Sequence, residues 1–152
     1  MAGAVPIEGV SHVSIYVSEM ERSLRFYRDV FGFETLFDDE IGGEGLSAIA
    51  GVPDTRGRAV GGRIGELRVE LLELSNVPRK ARAPGLGLAV LSLRVASADA
   101  AYQAVLALGH RCRSAPVDVL GTRMFFALDP DGQGIEMVEY PPGSPAWGGI
   151  YR

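Results

Sequence analysis

Two stretches of the chain alternate apolar and polar positions with the same rhythm. Residues 9–33 read GVSHVSIYVSEMERSLRFYRDVFGF and residues 87–110 read GLAVLSLRVASADAAYQAVLALGH. Val13, Ile15 and Val17 in the first, and Leu91, Leu93 and Val95 in the second, have the period of a strand with one buried face. A serine follows in each, Ser18 or Ser97, and then helical spacing begins. Met20, Leu24, Tyr27 and Phe31 fall on one face of the first helix, and Ala98, Ala101, Tyr102 and Val105 on one face of the second. Ser18 and Glu21 have the S-x-x-E spacing of a capping box, whereas Asp99 supplies only an acid to the first turn. Gly32 and Gly109 are placed to stop the two helices.

The copies continue in step. After the first helix come FETLFDDE, a glycine-rich loop, GRAVGGRI and GELRVELLEL; after the second come HRCRSAPVDV, GTRMFFALDP and GQGIEMVEY. Each half therefore predicts strand, helix and three strands. The triplets Val69-Glu70-Leu71 and Ile135-Glu136-Met137 recur at matching places near the end of each half. The first half is longer by about a dozen residues, taken up by IGGEGLSAIAGVPDTRG, which reads as loop. The expected class is α+β, two βαβββ modules in tandem within one domain over 1–152. The modules span 8–76 and 87–141, with a linker over 77–86 and a tail over 142–152. Halves of roughly 75 residues with one helix each bury too little to stand alone, so two curved sheets with the helices outside are expected.

Composition narrows the function classes. The 152 residues are 47% hydrophobic and 22% charged, the balance of a folded soluble domain. Net charge is −4 and the 15 Lys and Arg are scattered, which argues against nucleic acid. No apolar run reaches membrane-spanning length, and the start MAGAVPIEG lacks the basic and apolar regions of a signal peptide; a cytoplasmic protein is the expectation. A single cysteine, Cys112, leaves no internal disulfide and no cysteine-built metal site.

Strand alternation places candidate chemistry. His12, Ser14 and Tyr16 share the face opposite the apolar set of their strand. Val90, Ser92 and Arg94 do the same in the second half. Glu70 shares its face with Leu72 and Leu74, and Glu136 with Val138 and Tyr140. A buried carboxylate needs a partner, a proton or a metal. A divalent cation would serve Glu70 and Glu136; so would an arginine such as Arg94.

The duplication, HVSIYV followed by SLRFYRDVFGF, and DPDGQGIEMVE together resemble the vicinal oxygen chelate superfamily, which includes glyoxalase I, extradiol dioxygenases and bleomycin-resistance proteins. The resemblance covers roughly residues 8 to 140 and implies a cup-shaped, curved mixed sheet. It also implies a metal site with one ligand from the first and one from the last strand of each half. By position these are His12, Glu70 and Glu136, while the fourth position holds Val90, where the family commonly has histidine. Three oxygen and nitrogen ligands suit hard or borderline divalent ions and do not select among Zn, Ni, Co, Mn, Mg and Fe. Val90 argues against extradiol ring cleavage, which needs two histidines and a carboxylate on iron.

The implied activity is that of a glyoxalase-like lyase or isomerase acting on a small oxygenated substrate. The metal would chelate two neighbouring oxygens, and Glu136 or Glu70 would move the proton. Arg94, Tyr16, Ser92 and Arg123 are the candidate substrate contacts, and a homodimer is the expected assembly. The alternative is a metal-free protein that sequesters a small molecule, as bleomycin-resistance proteins do. His110 and Cys112 read as structural, and Trp147 in the tail as packing or a lid.

Overall fold

The computed structural model describes residues 11–76, 90–119 and 121–143. The linker and Trp147 lie outside these residues. The chain divides into two compact units. One holds β1 (Val13–Tyr16), β2 (Glu34–Gly42), α2 (Glu44–Ala50), β3 (Arg56–Ile64) and β4 (Leu67–Leu74). The other holds the body of α1 (Met20–Phe31) with β5 (Leu91–Arg94), α3 (Ala98–Ala107), β6 (Arg111–Cys112), β7 (Val117–Val119), β8 (Thr122–Leu128) and β9 (Gly134–Glu139).

The two sheets repeat one topology, so the α+β class and the tandem modules expected from the sequence are what the chain forms. In the first, the order is β1-β4-β3-β2; in the second it is β5-β9-β8-β6, with β7 also on β8. The first strand of each half pairs parallel with the last, Ser14 opposite Glu70 and Ser92 opposite Glu136. The remaining pairings are antiparallel. Because strand residues alternate faces, these registers put each serine and its glutamate on one side of their sheet.

The opposite sides are apolar and covered. Val69, Leu71 and Val60 are buried in the first sheet, and Phe125, Ala127, Ile135 and Met137 in the second. Both helices end as their glycines foretell, Gly32 and Gly109 adopting positive φ, where a side chain would be strained. Ser97 caps α3 by accepting the Ala100 N–H at 3.2 Å.

Two segments depart from the expected elements. The glycine-rich insertion contains a short helix, α2, between Gly43 and a left-handed Gly51. The strand expected over HRCRSAPVDV is split into β6 and β7 around a turn at Ser114-Ala115-Pro116, where proline has no N–H for the ladder. Among the described residues no helix is long and apolar enough to cross a membrane.

Candidate functional site

In the first unit Ser14 Oγ donates to Glu70 Oε2 at 2.9 Å. His12 Nε2 lies 3.5 Å from the same carboxylate oxygen, while its Nδ1 is 2.9 Å from Ser11 Oγ. The imidazole is 44% and the carboxylate 22% exposed, so both remain reachable from solvent. Two donors each about 2.1 Å from one ion lie about 3.0 Å apart at a right angle and about 3.4 Å at the tetrahedral angle. The spacing of His12 and Glu70 therefore fits a shared cation with little adjustment. Tyr16, two residues along the same face, is exposed.

The second unit repeats the serine–carboxylate pair. Ser92 Oγ donates to Glu136 Oε2 at 2.5 Å. The half-buried Glu136 thus meets a hydroxyl on its own rung. Val90, at the position equivalent to His12, is 37% exposed and offers no ligand. Arg94 extends over the Tyr140 ring, its Cζ 5.5 Å from the centroid. Among the described residues no group of three His, Cys, Asp or Glu side chains converges so as to hold a metal ion.

Arg123 sits on the other side of its sheet. Its guanidinium forks onto Asp99 of α3, with contacts of 2.8 and 2.9 Å, and reaches Asp118 at 3.0 Å. It pairs by register with Glu139, whose carboxylate takes the Ala98 N–H at 2.7 Å. These bonds hold the start of α3 to the sheet, which is a different job from the substrate contact expected of Arg123.

The turn before β9 earns its acids. Asp129 Oδ1 accepts the Asp131 and Gln133 N–H groups at 2.9 and 2.8 Å, and Oδ2 accepts the Tyr27 hydroxyl at 3.1 Å. Asp129 is 1% exposed, and burial pushes its carboxyl above the usual carboxylate range against the pull of those donors. Burial, reinforced by Asp129, also pushes the Tyr27 phenol far up, so it stays protonated and donating. His110 packs edge-on against Phe26 at 4.9 Å. Burial raises the Cys112 thiol, which keeps it a poor nucleophile.

One cation on the open face went unread in the sequence. Arg113 lies over the Phe126 ring, its Cζ 4.8 Å from the centroid. Its signal is the alternation Arg111, Arg113, which sets every second side chain of this edge on one face.

The Glyoxalase/Bleomycin resistance protein/Dioxygenase superfamily model matches residues 9–137. No curated protein sequence matches the chain. Among solved structures, a glyoxalase family protein from Bacillus cereus is 18% identical, with a TM-score of 0.76, covering 91% of this chain and 98% of that one. The fosfomycin resistance protein FosX from Listeria monocytogenes is 15% identical, with a TM-score of 0.63 and coverages of 88% and 94%. A variant of that protein, complexed with Mn(II) and 1S,2S-dihydroxypropylphosphonic acid, is 17% identical, with a TM-score of 0.60 and coverages of 87% and 92%.

Proposed function

The chain belongs to the Glyoxalase/Bleomycin resistance protein/Dioxygenase superfamily, and on that premise we propose that it is a divalent-metal enzyme, a lyase or isomerase that moves a proton on a small oxygenated substrate. The proposed protein ligands are His12, Glu70 and Glu136. The observation that carries the reading is the His12–Glu70 pair, two donor atoms 3.5 Å apart on a solvent-reachable face. The manganese bound by the Listeria protein makes Mn(II) the first ion to try.

When bound, the cation would supply Lewis acidity to two substrate oxygens. The chain's own part is proton transfer and orientation. Ser92 holds Glu136 Oε2 and so fixes the carboxylate plane, leaving Oε1 to receive a proton from carbon. Ser14 does the same for Glu70. Arg94 and Tyr16 are proposed to contact substrate from the neighbouring positions of their strands. The proposed assembly is a homodimer and the proposed setting the cytoplasm.

The test is carbon-bound proton exchange. Small 2-hydroxycarbonyl compounds and hemithioacetals are incubated with Mn(II)-loaded protein in D2O and followed by NMR. The reading expects deuterium at the carbon next to the carbonyl, lost in Glu136→Gln. Exchange no faster than in buffer across the panel, with metal bound, would sink it.

One observation favours a second reading. Val90 puts an exposed apolar side chain where a ligand is expected, which suits a metal-free protein that sequesters an apolar compound. That reading expects tight ligand binding unchanged by chelators.

A further inference from the structure

We infer that Arg113, lying over Phe126, is the anion-docking end of the ligand face in the second unit, and that it takes a small oxyanion, carboxylate or phosphoryl, carried on an apolar body. This rests on the reading of Glu136 as a reaction-site residue and names the class of compound brought to it.

The pairing register lays out the face. Ser92 is opposite Glu136, and Glu136 is opposite Phe126. The Arg113 N–H bonds the Phe126 carbonyl at 2.9 Å, which extends the same rung by one more residue. One row across the sheet therefore reads serine, glutamate, phenylalanine, arginine. A Cβ built on Gly134 would come within 3.0 Å of both Arg113 Nη2 and Phe126 Cδ1. A side chain at 134 would make the arginine or the ring give way by a few tenths of an ångström.

Among the described residues no carboxylate pairs with Arg113. Arg22, Arg58, Arg63 and Arg123 each meet a carboxylate within 3.3 Å. Among the described residues Arg113 meets only the Phe126 ring. A guanidinium held over an aromatic ring retains N–H groups in a fork that binds two oxygens side by side. Beside it the face is apolar. Val117 pairs with Met124, which lies two residues before Phe126 on the same side, and Val117 and Val119 are 49% and 44% exposed. An arginine fork next to exposed aliphatic side chains suits an anion with a hydrocarbon chain.

The experiment titrates the full chain, with and without Mn(II), with hexanoate, hexylphosphonate and hexanol by calorimetry. Circular dichroism melting of every variant checks its fold. Both anions are expected to bind at least about tenfold more tightly than hexanol, the stronger of the two naming the group. Arg113→Met is expected to remove that preference, Arg113→Lys to recover part of it, and Gly134→Ala to weaken it by displacing the guanidinium. Hexanol binding as tightly as the anions, or an Arg113→Met protein that still prefers anions, overturns the inference. Anion binding through Arg113 in a chain that takes no metal would sink the metalloenzyme reading alone. Metal binding without an Arg113-dependent anion would sink this inference alone.

Discussion

The Glu139 carboxylate accepts the Ala98 N–H at the start of α3 at 2.7 Å, and its counterpart Glu73 accepts the Met20 N–H at the start of α1 at 2.6 Å. Each is three residues beyond the glutamate of the open face, so the spacing E-x-x-E divides two tasks between two sides of a strand. Glu70 and Glu136 meet serines, while Glu73 and Glu139 neutralise unpaired N–H groups at a helix start, where the dipole also favours negative charge.

Removing a helix-start acceptor should cost stability without touching the open face. Glu139→Ala is expected to lower the unfolding free energy by about 1 kcal/mol, read as a shift in denaturant midpoint at unchanged slope. Metal and anion binding should stay as they are.

Tyr27→Phe strips the donor from a buried carboxylate oxygen and should cost about 1–3 kcal/mol, measured by the same titration. Asp129 also gives a pH signature. Its folded carboxyl titrates above the unfolded value, so between the two the folded chain keeps a proton that the unfolded chain has lost. Stability contributed by this group is full below the ordinary aspartate range and falls as pH rises through the raised value. Asp129→Asn should flatten that fall, and an unchanged pH slope in the variant would count against it.

Arg123→Met should leave ligand binding intact. Its ion pairs with Asp99 and Asp118 are exposed, so a small drop in stability that shrinks with added salt is expected. Loss of substrate binding in this variant would return Arg123 to the site.

Much of the fold was legible because it rests on periodicity. The alternation at Val13, Ile15 and Val17, the glycine stops and the returning glutamates each have one local cause, and the strands formed where those causes agree. Strand register was not legible: that Ser14 lies opposite Glu70 depends on pairing two strands far apart in the chain. What was hidden depends on partners distant in sequence. Arg123 lies beside Asp99 only because β8 runs under α3, and Arg113 lies over Phe126 beside a glycine, Gly134, on another strand. The helix in the glycine-rich insertion was masked by the glycines that bound it. Gly43 and Gly51 read as loop residues, yet they frame Glu44–Ala50 as its ends.

Metal binding by the purified full chain tests the central claim most directly. Metal-free protein is titrated with Mn(II), and free ion is followed by electron paramagnetic resonance, beside His12→Ala, Glu70→Gln and Glu136→Gln proteins of confirmed fold. The account predicts one ion bound per chain, with each of the three substitutions weakening it at least about tenfold. No binding, or binding that all three variants retain in full, would contradict it.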